Sequence, residues 1–255
     1  MDNESQAASS RTLSYRDLET SLTGEFFWDE TRPGPKPGIL LIHGGAGLDE
    51  HARSQARRYA ELGYAVLACD MLGDGVAGNR ERVMGSIIAF RDDPALLVRR
   101  GQAGLTALSR CPEVGGPPAA VGFCFGGMAA LTLARSGVNL AGAVSIHGTL
   151  STGEPAKPGA VTAKILVCHG SADPHVPMEQ VAAFTDEMNA AGADWQLVIY
   201  GQAVHGFTHR HAVPGAAPGV AYDAAADERS FAATAAFLAG VLGGNSFGPS
   251  PAGAS

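Results

Sequence analysis

A chain of 255 residues, 45% hydrophobic and 17% charged, has the composition of a globular protein large enough to bury a sizeable core. Its net charge of −7, without a dense Lys/Arg run, argues against nucleic acid and anionic membranes as partners, because phosphate binding needs clustered positive charge. Its four cysteines (Cys69, Cys111, Cys124 and Cys168) form no CxxC pair, which excludes a disulfide framework and fits a reducing, cytoplasmic setting.

Residues 1–20 read as an N-terminal extension, polar at the start and without a signal peptide. No apolar stretch is long enough to cross a bilayer. Residues 39–42 form a short apolar strand that ends in a glycine-rich loop, and 53–62 read as a helix. A strand over 64–69 follows, then helices over 80–90 and 93–108. The pattern continues with a strand at 119–123, a small-residue helix at 126–134, and strands at 140–146 and 165–169. A helix at 178–190, a strand at 195–200 and an Ala-rich helix at 224–241 complete it. Near-continuous apolar strands alternating with helices predict an α/β fold, a mostly parallel central sheet with helices on both faces. One domain is expected over 21–242, followed by a disordered Gly/Ser/Pro-rich tail at 243–255.

Parallel sheets place chemistry at the carboxyl ends of their strands, so the residues after each strand carry the functional reading. Gly122-Phe123-Cys124-Phe125-Gly126-Gly127 follows one strand and opens a helix. This is the pattern of a nucleophile elbow with Cys in the Ser position, where a helix N-terminus favours thiolate. A buried packing cysteine is the competing reading. Asp173, in His169-Gly170-Ser171-Ala172-Asp173-Pro174, lies beyond the next strand end, where an orienting carboxylate belongs. A turn or capping Asp is the alternative there. His205, in Val204-His205-Gly206-Phe207, lies beyond the strand after that. The order nucleophile, acid, histidine matches the α/β-hydrolase arrangement. The roles follow: Cys124 attacks, His205 is the base and Asp173 orients it. Two backbone donors are needed for the oxyanion, Phe125 directly after the nucleophile and Gly45 from the loop His43-Gly44-Gly45-Ala46-Gly47. That loop does not fit a dinucleotide fingerprint.

With these residues in hand, the sequence resembles the dienelactone hydrolase family. The resemblance rests on GFCFGG around Cys124, HGSADPHVP around Asp173, AVHGF around His205 and GVAYDAAADERS around Tyr222. It implies an α/β-hydrolase fold, cytoplasmic location, no cofactor, and hydrolysis of esters or lactones. It also implies two departures. Family enzymes that cleave dienelactone carry a Glu where this chain has Gly44, and an Arg where it has His209, with Arg210 beside it. A neutral ester is therefore expected to be a better substrate than dienelactone.

Gly44, Phe123, His209, Arg210 and Tyr222 are the expected substrate-binding positions, with core packing the alternative for Phe123 and Tyr222. No catalytic metal is expected, since the sequence offers no HExxH or Cys/His ligand set. Two other readings of the same residues stay open: hydrolysis of activated phosphotriesters by the same triad, and a non-catalytic thiol sensor or ligand-binding protein. The partners expected are small-molecule esters, lactones or phosphotriesters, and the oligomeric state is not fixed.

Overall fold

The computed structural model describes residues 8–243. Eight strands, β1 (Ser9–Asp17), β2 (Thr20–Trp28), β3 (Lys36–Ile42), β4 (Ala65–Cys69), β5 (Val114–Phe123), β6 (Gly142–Ile146), β7 (Lys164–Gly170) and β8 (Trp195–Tyr200), form one sheet. Their order is β1-β2-β4-β3-β5-β6-β7-β8. All pairs from β4 to β8 are parallel, and β2 joins β4, and β1 joins β2, antiparallel. The helices are α1 (Glu50–Glu61), α2 (Arg80–Asp92), α3 (Pro94–Ser109), α4 (Phe125–Arg135), α5 (Met178–Ala191) and α6 (Ala224–Leu242).

The continuous apolar strands feed two cores, one on each face of the sheet. In β3, Leu40 and Ile42 enter one core while Ile39 and Leu41 enter the other, all fully buried. The period of two in the strand makes this division, and only a sheet covered on both sides needs it. Leu97 and Leu108 of α3, Ala129 and Leu133 of α4, and Phe184 of α5 close the first core. Ala52, Ala56 and Tyr59 of α1 with Phe237 and Leu238 of α6 close the second.

One expectation is corrected here. Residues 9–20 lie within the sheet rather than outside the domain, as the edge strand β1 and the turn into β2. β1 alternates between half-buried and exposed positions, with Ser10, Thr12, Ser14 and Arg16 outward. It is tied down by Asp17, which accepts from Arg99 Nε at 2.8 Å and from Arg100 Nε at 2.9 Å on α3. From residue 244 onward, the expected disordered tail lies outside the described residues. No described helix is long and apolar enough to cross a membrane.

After β3 the chain crosses to β4 on one side, and β5 then lies on the other side of β3. This reversal opens a crevice at the carboxyl ends of β3 and β5. The glycine-rich loop leaves β3 there, and Cys124 leaves β5 beside it.

Candidate active site

The turn from β5 into α4 is set by close backbone approach. A Cβ at Gly122 would collide with the carbonyl of Gly126, and one at Gly126 with the carbonyl of Ile42. Only glycine at both positions lets α4 seat this tightly on β3 and β5. Cys124 sits between them at φ 53° and ψ −114°, a conformation that L side chains rarely adopt. Its amide donates to Ile146 O at 3.0 Å, which holds the turn against β6. Cys124 is also the N-cap residue of α4 and makes no side-chain cap bond. Its thiol is therefore held above the helix start rather than folded back onto it.

Asp173 and His205 converge on that thiol from the ends of β7 and β8. His205 Nε2 lies 3.1 Å from Cys124 Sγ, and its Nδ1 donates to Asp173 Oδ2 at 2.8 Å. The second Asp173 oxygen accepts from the backbone N–H of His175 at 2.8 Å and of Val176 at 3.2 Å. Asp173 is thus a buried carboxylate with its position fixed on both oxygens.

Burial alone would push the Cys124 thiol up, but the bond to His205, its charge, and the N–H groups of Phe125 and Gly45 bring it below the ordinary thiol value. Burial likewise opposes a charge on His205, yet its bonds to Asp173 and Cys124 and their charges raise it to about 10. Both shifts favour a thiolate–imidazolium pair over the neutral thiol and imidazole.

The N–H groups of Phe125 and Gly45 are both among the groups that favour the charged form of Cys124. The Gly45 loop is tied down from below by His43, whose Nδ1 donates to Gly44 O at 2.7 Å while its Nε2 accepts from Met71 N–H at 3.2 Å. His43 is fully buried, which keeps it below its usual pKa, so it acts as a neutral strut.

Gly45, Cys124 and His205 line a cleft of about 580 Å³ with Asp49, Glu50, His51, Gly206, His209, Arg210, His211, Ala212 and Val220. Gly44 lies beside Cys124, and a Cβ there would meet only ordinary contacts, 3.7 Å from Cys124 Cβ and 3.8 Å from His209 Nε2. Glycine therefore leaves open space at this position. His209 and Arg210 line the cleft, and Arg210 also reaches Asp227 at 3.8 Å.

Two expected substrate contacts are corrected. Phe123 is 1% exposed and packs in the second core, edge-on to His51, because strand alternation turns it away from the cleft. Tyr222 sends its hydroxyl to Asp227 Oδ2 at 3.3 Å, in the first turn of α6, and does not line the cleft. The segment holding His205 and His209 is a loop, as its Gly206 predicts. Cys69, Cys111 and Cys168 are buried and free. Among the described residues, no three His, Cys, Asp or Glu side chains come together in a way that could hold a metal ion.

His51, Thr208 and His147 escaped the sequence reading. His51 stacks on His209 with ring centroids 3.7 Å apart. Thr208 Oγ1 lies 2.9 Å from His51 Nε2 and 2.8 Å from His147 Nε2. No local motif marks them, because their contacts join α1, the end of β6 and the His205 loop.

Comparison with known proteins bears on the family and the fold. A dienelactone hydrolase-like promiscuous phosphotriesterase, P91, from metagenomic libraries superposes with a TM-score of 0.87 at 40% identity, covering 92% of this chain and 99% of that one. An uncharacterized protein of Caenorhabditis elegans, K02A2.1, is 39% identical over 142 residues, 54% of this chain and 90% of its own. A Yersinia pestis protein named "Putative carboxymethylenebutenolidase" is 28% identical over 187 residues, 68% of this chain and 69% of its own. The family model described as "Dienelactone hydrolase family" matches residues 26–242. The chain belongs to the dienelactone hydrolase family and is a hydrolase of α/β-hydrolase fold.

Proposed function

We propose that this hydrolase cleaves small neutral esters or lactones through a covalent Cys124 intermediate. The carrying observation is the Cys124–His205–Asp173 chain, with contacts of 3.1 and 2.8 Å. The Cys124 thiolate adds to the carbonyl carbon, and the oxyanion takes hydrogen bonds from Phe125 and Gly45 N–H. The carbonyl re-forms as the C–O bond to the leaving group breaks. The departing alkoxide takes the Nε2 proton of His205, leaving a thioester and a neutral imidazole. Water then gives a proton to His205 as it adds to the thioester carbon. Collapse expels the thiolate beside the imidazolium and releases the acid. Asp173 holds the His205 tautomer throughout.

The open space at Gly44 and the neutral His209 support uncharged substrates over carboxylate-bearing dienelactone. A second reading has its own observation, the 40% identity to a promiscuous phosphotriesterase over nearly the whole of that chain. In it the thiolate attacks the phosphorus of an activated aryl phosphotriester, the aryloxide leaves, and water hydrolyses the S–P bond.

Cys124→Ala tests the common step. Loss of p-nitrophenyl acetate turnover by about 10³-fold or more is expected, with the circular dichroism spectrum unchanged. A folded variant that keeps a tenth or more of the activity would exclude Cys124 as nucleophile. A burst of p-nitrophenol followed by steady turnover in the wild type separates this enzyme from a thiol sensor, which would react once and stop.

A further inference from the structure

Besides His205, three imidazoles line the cleft, those of His51, His209 and His211, and the triad chemistry leaves them unused. His209 follows His205 by four residues and lines the same cleft. Its Nε2 stands above Gly44, 3.8 Å from where a Cβ would sit, and that point is itself 3.7 Å from Cys124 Cβ. Among the described residues, no group hydrogen-bonds its ring nitrogens. Burial and the charge on His205 lower its pKa against the opposing pull of Asp49 and Asp227, so it stays a neutral ring with one donor and one acceptor.

The orientation of this ring is built from several elements. His51 of α1 lies flat against it, with centroids 3.7 Å apart and planes 21° apart. Phe123 meets the His51 ring edge-on at 5.0 Å. Thr208 Oγ1 bridges His51 Nε2 and His147 Nε2, and a hydroxyl with a single proton must donate to one ring and accept from the other. His147 is fully buried and holds φ at 41°, a strained value for a non-glycine residue. Buried polar bonds, a strained backbone and an aromatic platform together fix one ring over the open side of the nucleophile.

The oxygen count of the substrate says what this ring would bind. A simple carboxylic ester places two oxygens on its reacting carbon. One enters the Phe125/Gly45 donors, and the other leaves toward His205. A carbonate or a phosphotriester carries at least one more ester oxygen on the reacting atom, and neither of those groups serves it.

We propose that His209, held by the His51 stack, hydrogen-bonds this additional ester oxygen and is thereby a specificity-determining residue favouring aryl carbonates and phosphotriesters over simple aryl esters. The proposal rests on Cys124 as the nucleophile.

The test uses three substrates with one leaving group: p-nitrophenyl acetate, p-nitrophenyl methyl carbonate and diethyl p-nitrophenyl phosphate. The quantity read is kcat/KM for carbonate or phosphate divided by that for acetate, so any general loss cancels. His209→Phe keeps a flat ring on His51 but has no nitrogen, and both ratios should fall about five- to tenfold, the loss of one hydrogen bond. His209→Gln restores a donor and should recover most of each ratio. Ratios within twofold of wild type in His209→Phe would overturn the proposal, as would a Gln variant as low as the Phe variant. Acetate turnover retained by Cys124→Ala would instead remove the triad reading beneath it.

Discussion

The N-termini of α4 and α6 are both helix starts packed against the same sheet, and they are finished in opposite ways. At α6 the cap residue Asp223 folds back and accepts from Ala226 N–H at 3.0 Å. One turn later, buried Asp227 takes Arg58 at 3.2 Å and the Tyr222 hydroxyl at 3.3 Å. Side chains there use up the donors and the positive end of the helix dipole. At α4 the cap residue is Cys124, whose side chain bonds no amide of its own helix start in the manner of a cap and whose backbone is strained. The Phe125 N–H and the helix dipole favour charge on the sulfur, and in the proposed mechanism they also serve the oxyanion. The two helices thus differ in whether a side chain occupies the N-terminal end.

The sharpest way to break this comparison is to ask whether the free helix end and His205 do hold a thiolate. The alkylation rate of Cys124 by iodoacetamide should follow the thiolate fraction, with its midpoint below the free-thiol value of about 8.5. Because the pKa is lowered, the thiolate persists as pH falls and is lost only below that midpoint. In His205→Ala, burial acts with less opposition and the midpoint should rise by about 2 pH units or more, roughly 100-fold in reactivity at pH values below both midpoints. A midpoint near that of a free thiol, the same with and without His205, would leave activation to the substrate complex.

A pair of glycines sharpens the packing side. Gly126 in α4 has no room for a Cβ, so Gly126→Ala should cost about 3 kcal/mol in urea unfolding, the upper range for overpacking. Gly240 in α6 has nothing within 4 Å of a Cβ, so Gly240→Ala should stabilise by roughly 0.5–1 kcal/mol. Equal effects at the two sites would mean that α4 is not seated as tightly as the backbone contacts require.

The smallest effects concern the caps themselves. Asp223→Ala should lower stability by about 1 kcal/mol and leave acetate turnover within about twofold. Cys124→Gly should abolish turnover and yet raise stability by about 1 kcal/mol, since glycine relieves the strain. Chemical unfolding of both variants measures this, and a destabilised Cys124→Gly would show that the thiol contributes more to the fold than its backbone costs.

The parts of this molecule legible in its sequence are those with local signatures. β3, β4, β6 and β7 are nearly unbroken apolar runs because both of their faces are covered, and the helices between them carry periodic small and apolar residues. Cys124, Asp173 and His205 each follow a strand end within a short recognisable segment, so the chain order placed them before any geometry was at hand. β1 was missed because an edge strand needs only one buried face, and Ser-Ser-Arg-Thr-Leu-Ser-Tyr-Arg-Asp shows too few apolar residues to signal it. Phe123 is expected at the substrate because it flanks Cys124, and Tyr222 because it lies in the last loop, but strand alternation and the bond to Asp227 turn them elsewhere. The Thr208 bridge joins residues 157 positions apart on one side and 61 on the other, a contact that no window along the chain contains.

The hairpin of β1 and β2 also bears on how the protein stays in solution. β2 has Leu22, Phe26 and Phe27 fully buried, and β1 covers its outer row of backbone groups with a strand whose outward side chains are Ser, Thr and Arg. A chain shortened to begin at Ser21 would leave β2 as the terminal strand, long, apolar and with unmet amides. Such an edge is a template for pairing with the same edge of another molecule. The polar strand that looks dispensable in the sequence therefore serves as a guard against self-association, and its removal should first appear as turbidity on refolding rather than as a change in chemistry.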